Sequence, residues 1–298
     1  MFLVAVFLLF FPLLRWEKPP FVYWPAPPVN RGDSVPAQFK FAVFADNKEG
    51  WGVFKNILRE IERRGYSFAV IVGDFVPRNR EDRYRFFFRE LAQLKGRTPI
   101  FFVPGNHDIC DDSGRSDLEN FHKYCGPDQY WFTWGDAAFV VLNDARSTIT
   151  EEQFLWLKNI LLRLTESSNH IFLFMHVPSF DPRQDKSYCL PKGVGEKFMA
   201  LMEEFGVDYV FCSHIHCYFR EVINGVTYII TGGAGARLKC PNAFYHYIQI
   251  SVAGKEIRDS VIRVERSWWQ QVKGDVRCTL QIKRPFLSLV MKQSLLYF

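Results

Sequence analysis

The sequence predicts an α/β domain with a polar site built at the C-terminal ends of its strands. Three observations carry this reading. From Phe39 onward, short apolar runs alternate with segments of helical period. Five of those runs end in a carboxylate, amide or imidazole: Asp46, Gly73-Asp74, Asn106-His107, His176, and His214-Ile215-His216. The last part changes period, with residues 226–231, 245–252 and 256–264 reading as consecutive strands. In open α/β sheets the C-terminal ends of the strands are where ligands bind.

Each element has its own justification. Residues 39–45 read as a strand, and 53–64 as a helix with Val53, Ile57, Leu58 and Ile61 on one face. Residues 68–72 form a strand without a polar residue, and 81–95 a helix with acid first and lysine last, which complements the macrodipole. The run Ile100-Phe-Phe-Val103 has the continuous apolar character of a fully buried strand. Pro104-Gly105 breaks it, and Asn106, His107 and Asp108 follow, a cluster that alone reads as a capped turn. A polar loop spans 109–136, then 137–142 is a strand. Thr150-Glu-Glu-Gln153 is a capping box opening a helix to about Leu164. Residues 171–175 read as a strand, 196–205 as a helix and 209–212 as a strand. Gly232-Gly-Ala-Gly235 is not a nucleotide loop, since it opens no helix, and reads as close backbone packing beside the site.

Composition bounds the function. The 298 residues are 48% hydrophobic and include 30 phenylalanines, enough for a large core and against disorder over most of the chain. The net charge is +5, but from Ser267 onward five basic residues face Asp275 alone, so the rest is near neutral. No basic, aromatic-interleaved face suggests a nucleic-acid surface. The organisation expected is an apolar signal or anchor at 1–16, a Pro-rich linker at 17–38, the main domain at 39–264, and a basic, apolar extension at 265–298. The N-terminal run implies export or membrane contact, or a cytoplasmic protein if the start is misassigned; the extension either packs on the domain or rests on a membrane surface. Seven cysteines without a Cys-x-x-Cys pair exclude a zinc ribbon. Cys110 and Cys125 flank one loop and are either a bridge, in an oxidising compartment, or isolated thiols. Nothing in the sequence fixes the oligomeric state.

Four of the seven histidines stand at the five strand ends; His122, His170 and His246 do not and read as structural. The set Asp46, Gly73-Asp74, Gly105-Asn106-His107-Asp108, His176 and His214-x-His216 resembles the calcineurin-like metallophosphoesterases over roughly residues 39–264. The Gly-Asn-His-Asp block and the distal His-x-His are its specific parts. The resemblance implies a four-layer sandwich of two mixed β-sheets flanked by helices, with the later strands finishing the second sheet. It implies two divalent transition-metal ions: Asp74 bridging them, Asp46 and His216 on one, and Asn106, His176 and His214 on the other. His107 becomes the acid near the leaving group, and Asp108 the residue that orients His107 or its loop. A metal-bridging hydroxide would attack a phosphate mono- or diester in line. Oxygen and imidazole ligands without thiolate suit Mn, Fe or Zn.

The chain departs from this pattern where Asp-x-His is usual, having Asp46-Asn47-Lys48 instead. A protonated lysine has no lone pair for a metal, so the first metal site is expected to be weakened, or completed by water or Asn47. Lys48 itself is either a partner for a substrate phosphate or a solvated loop residue. Ser213 stands where glycine commonly precedes His-x-His. The favoured function is a metallophosphoesterase acting on a phosphorylated small molecule or other phosphoester. The alternative is a non-catalytic phosphate- or nucleotide-binding or sensor protein on a degenerate metal site.

Overall fold

The computed structural model describes residues 38–93, 98–183 and 188–265. The expected signal or anchor, and nearly all of the linker and of the C-terminal extension, lie outside them. Strands β1 (Gln38–Phe44), β2 (Phe68–Val72) and β3 (Ile100–Val103) pair in parallel. Two helices connect them, α1 (Trp51–Arg64) and α2 (Glu81–Gln93). After β3 come two short helices, α3 (Asn106–Ile109) and α4 (Glu119–Cys125), then β4 (Tyr130–Trp134) and β5 (Ala137–Val141). Helix α5 (Glu151–Ser167) leads to β6 (His170–Phe174), and α6 (Lys192–Glu204) to β7 (Tyr209–Cys212). The chain ends in β8 (Tyr218–Ile223), β9 (Val226–Thr231), β10 (His246–Ala253) and β11 (Glu256–Arg263). The sheets run β11-β10-β1-β2-β3 and β4-β5-β6-β7-β9-β8.

Period-2 alternation explains the layering. In β1, Phe39, Phe41 and Val43 face the second sheet while Ala42 and Phe44 pack with α1 and α2. In β5, Phe139 and Val141 face the first sheet while Ala138 and Val140 pack with α5 and α6. Strands covered on both faces read as continuous apolar runs, which is how their sequences read. The result is the expected helix–sheet–sheet–helix sandwich. Its middle layer is mostly phenylalanine: the Phe41 ring lies 5.0 Å from Phe68 and meets Phe139 and Phe172 edge-on at 5.3 and 5.2 Å.

Three expectations are corrected. Residues 109–136 are not an unbroken loop, since they contain α4 and β4. Strand β8 lies within a stretch assigned no element. Both β4 and β8 are edge strands of the second sheet: in β4 Phe132 alone is buried and in β8 no residue is, so neither has the continuous burial of a central strand. Third, β10 and β11 do not finish the second sheet. They return to the first, β10 pairing antiparallel with β1 from Gln38↔Ala253 to Val43↔Ile248. Strand periodicity says that a residue faces a core, but not which free sheet edge the strand joins.

The Phe41 packing predicts a large stability cost. Phe41→Ala should lower unfolding free energy by about 3–5 kcal/mol, measured as a shift of the urea midpoint at constant slope. A loss under about 1 kcal/mol would show that the layer between the sheets closes over the cavity.

Candidate metal centre

The ends of β1, β2, β3, β6 and β7 bring Asp46, Asp74, Asn106, His176, His214 and His216 into one buried cleft between the sheets. Asp46, Asp74, His214 and His216 all sit in the left-handed backbone region, at φ of 57°, 56°, 66° and 56°. A non-glycine residue held there costs about 1–3 kcal/mol. Strain gathered on four adjacent site residues marks loops shaped for their side chains rather than for stability.

His176 joins the two sheets. Its Nδ1 lies 3.0 Å from the Val72 carbonyl at the end of β2 and 2.8 Å from the Ser213 hydroxyl, which donates to that same carbonyl at 2.6 Å. The Nδ1 proton is thereby spent on Val72, and the lone pair lies on Nε2. That Nε2 faces Asn106 Oδ1 at 3.2 Å, His214 Nδ1 at 3.3 Å and Asp74 Oδ1 at 3.5 Å. His216 is arranged in the same way: Nδ1 donates to the Arg237 carbonyl at 2.9 Å, and Nε2 faces Asp46 Oδ1 at 3.3 Å. Such outer hydrogen bonds fix the ring orientation of metal-ligating histidines. The cleft is thus lined by acceptors that face one another. Asp46 Oδ1 has no hydrogen-bond donor among the described residues.

The electrostatics show a cleft that favours added positive charge, a proton or another cation. Burial works against the Asp46 and Asp74 carboxylates, yet His216 and His176 outweigh it and hold both below the usual range, Asp74 well below. Burial likewise opposes charge on His176, and the two carboxylates raise it. Burial, then the neighbouring His176, push His214 down to about 3, so it is neutral. A group of carboxylate and imidazole donors within 4.8 Å of one another, comprising Asp46, Asp74 and His176, is suited to a cation. Close backbone packing keeps the volume small. A Cβ on Gly73 would collide with the His176 ring, and one on Gly232 would sit 2.5 Å from His216 Cα and 2.8 Å from Asp46 Oδ2. That is the close approach expected beside the glycine-rich stretch.

For two residues the structure narrows the alternatives the sequence left open. Lys48 is not a solvated loop residue: it is buried, and its Nζ lies 2.6 Å from Asp74 Oδ2. Burial lowers the stability of the ammonium, but Asp74 and Asp46 outweigh burial and keep it charged. Asp108 does not touch the His107 ring. Its carboxylate accepts the backbone N–H groups of Asp74, Phe75, Val76 and Gly105 at 2.7–3.1 Å, which shapes the loops that carry the site. At the third position of a helical turn, it reaches amides more readily than its neighbour's ring.

His107 stands at the rim, Nε2 3.9 Å from Asp74 Oδ2, and its backbone N–H donates to Asp74 Oδ1 at 2.9 Å. Burial lowers its pKa, with Asp74 opposing. Arg78 was not anticipated. Its Nη1 lies 2.6 Å from His107 Nδ1 and donates to the Pro77 carbonyl at 3.2 Å. His107 Nδ1 also lies 2.8 Å from the Pro77 carbonyl, so this nitrogen is held between a donor and an acceptor, and Nε2 is the nitrogen that faces the cleft. A loop arginine has no sequence signal of its own. Asp144 was also missed; it accepts the backbone N–H groups of His176 and Val177 at 2.8 and 2.9 Å. Cys110 and Cys125 carry free thiols, and the disulfide joins Cys217 to Cys240, tying the segment after His216 to the loop that supplies the Arg237 carbonyl. His122, His170 and His246 bond elsewhere, to Asp128, Gly254 and Phe244.

Similarity to known proteins agrees with this arrangement. Serine/threonine-protein phosphatase CPPED1 of Danio rerio is 26% identical over 187 residues, covering 57% of this chain and 60% of that protein. Purple acid phosphatase 15 of Arabidopsis thaliana is 25% identical over 182 residues, 53% of this chain and 34% of that protein. The chain thus spans about three-fifths of the length of the first relative. Among solved structures, a purple acid phosphatase from yellow lupin seeds superposes with a TM-score of 0.60 at 14% identity, covering 79% of this chain and 55% of that one. A dimetal phosphatase from Danio rerio gives 0.56 at 15% identity, over 76% and 99%. These structures share the fold. Residues 39–218 match the model of the calcineurin-like phosphoesterases, and the chain belongs to that family.

Proposed function

We propose that this protein is a metal-dependent phosphoester hydrolase. The observation that carries the reading is the cleft of facing acceptors, in which His176 Nε2 stands within 3.5 Å of Asn106, His214 and Asp74 with its own proton spent on Val72. A divalent cation satisfies such a set of converging lone pairs at once. The donors are carboxylate, amide and imidazole, which suit Mn, Fe or Zn. A divalent ion bound there supplies Lewis acidity toward phosphoryl oxygens and makes water a competent nucleophile at neutral pH. Relatives named as phosphatases support a phosphate ester substrate, a monoester above all.

The chain's own residues supply the rest. Asp74, Asn106, His176 and His214 hold the ion, with Asp46 and His216 on the other side of the cleft. His107, with Nε2 facing the cleft and its ring held through Nδ1 by Arg78 and the Pro77 carbonyl, delivers a proton to the departing oxygen. Asp108 keeps the Gly73–Val76 and Gly105 amides in place and so positions Asp74 and His107 without touching substrate. The buried Lys48 favours a second reading, a non-catalytic phosphate-binding protein on an incomplete site. Hydrolysis of an aryl phosphate monoester and diester with added Mn2+ decides between them.

We also propose export or membrane attachment outside the cytosol. The apolar run at residues 2–14 and the Cys217–Cys240 disulfide support it, because disulfides persist in oxidising compartments. Cell fractionation with thiol counting should find the protein outside the cytosol with that pair oxidised; a reduced cytosolic protein would contradict the proposal.

The role of His107 yields a contrast. His107→Ala should leave metal content intact and lower turnover of an alkyl phosphate by roughly 10²–10⁴, the worth of a positioned acid. The loss should shrink for a nitrophenyl ester, whose leaving group needs no proton. Asp74→Ala should lose metal and activity together. Metal loss on removing His107 would make its ring a ligand. A separate test concerns Asp108→Ala, which strands four buried amide donors. It should lower the unfolding midpoint strongly, at roughly 1–3 kcal/mol per unsatisfied group; an unchanged midpoint would refute the loop-shaping role.

A further inference from the structure

We propose that the Lys48 ammonium takes the place of the first of the two metal ions, so that the folded protein binds a single transition-metal ion, held by Asp74, Asn106, His176 and His214. The inference rests on the metal-dependent reading above, and ligand counting carries it. Protein sites for such ions commonly offer three or four side-chain donors. On the second side of the cleft four converge: Asp74 Oδ1, Asn106 Oδ1, His176 Nε2 and His214 Nδ1, each of the other three within 3.5 Å of His176 Nε2. On the first side the count falls to two. Asp46 Oδ1 and His216 Nε2 face each other at 3.3 Å. The oxygen that would bridge toward them, Asp74 Oδ2, is bound by Lys48 Nζ at 2.6 Å. The other oxygen of Asp46 accepts the His214 backbone N–H at 3.1 Å. A side chain that could ligate is absent at position 48, and the one present brings its own positive charge.

The location of that charge matters. Lys48 is buried beside the bridging carboxylate, and its backbone N–H donates to the Asp74 carbonyl at 3.1 Å, so its strand-end loop is locked to that of Asp74 at two points. A point charge fixed there is aimed at the same cleft as the bound ion. It can attract a phosphoryl oxygen without forming a coordination bond, as lysines do at phosphate sites. One ion plus one ammonium would then give the cleft a hybrid of metal and organic cation, with the Lewis acidity of one ion and a second positive charge that cannot dissociate.

The test uses the purified full chain stripped of metal and titrated with Mn2+, read by isothermal calorimetry, by elemental analysis after desalting, and by electron paramagnetic resonance. One equivalent should bind, and the spectrum should keep the resolved hyperfine lines of an isolated Mn2+ ion when more metal is added. Lys48→His, which restores a lone pair and removes the charge, should raise the stoichiometry from one to two and broaden the spectrum through spin coupling. Two coupled ions in the unsubstituted protein would overturn the proposal and would point to Asn47, whose buried amide has no hydrogen-bond partner among the described residues, as a replacement donor. A Lys48→His variant that folds and still binds one ion would equally overturn it, since Lys48 would not then be what excludes the second. Should that variant fail to fold, the stoichiometry of the unsubstituted chain still decides. No Mn2+, Fe2+ or Zn2+ binding at all would sink the hydrolase reading beneath it, which is a distinct result from binding two.

Discussion

The architecture depends on one contact between sheets: the His176 imidazole at the end of β6 against the Val72 carbonyl at the end of β2. It closes the top of the sandwich, where the apolar layer between the sheets runs out. It also fixes which imidazole nitrogen keeps its lone pair. The Ser213 hydroxyl shares the same carbonyl and brings the end of β7 to the same point. Three strand ends from two sheets are therefore pinned together before any ion is considered. Glycine at position 73 is required because a Cβ there would occupy the space of the His176 ring.

Around that contact the cleft is shaped by buried acids that take no part in its chemistry. Asp108 gathers four backbone amides from two loops, and Asp144 gathers the amides of His176 and Val177. Burial pushes these two carboxyls up, to about 8 for Asp108 and about 7 for Asp144, while their amide bonds pull the other way; the bonds offset left-handed backbone at Asp46, Asp74, His214 and His216. The Cys217–Cys240 disulfide restrains the side of the cleft that carries His216. The stacked phenylalanines between the sheets supply a rigid base, so the strained loops are held from below by packing and from above by amide–carboxylate bonds.

Charge balance sets the character of the cleft. Two buried carboxylates, Asp46 and Asp74, need compensation, and breaking a buried ion pair by removing one partner typically costs 3–5 kcal/mol. Lys48 provides one fixed positive charge. The His214 ring is neutral, and the pull of the two carboxylates on His176 shows that the cleft calls for one more positive charge, brought from solution. The identity of residue 48 therefore decides how much of the compensation is built into the chain and how much is borrowed as metal.

The sequence by itself determined the α/β class, the central strands and the residues that line the cleft. Strands buried on both faces have continuous apolar runs, and polar residues at their ends are conspicuous against that background. Asp46, Asp74, Asn106, His176, His214 and His216 were all legible for this reason. What only the tertiary structure decided lay where the local pattern carries no directional information. Edge strands β4 and β8 mix polar and apolar residues, and periodicity could not assign β10 and β11 to the first sheet. Side-chain partners were equally out of reach. Whether Asp108 meets a ring or four amides, whether Lys48 faces solvent or Asp74, and that Arg78 reaches His107 depend on contacts across 26 to 34 residues of chain. Such contacts arise only after the sheets have packed, because it is the packing that removes water and leaves each buried polar atom to find its partner in the protein.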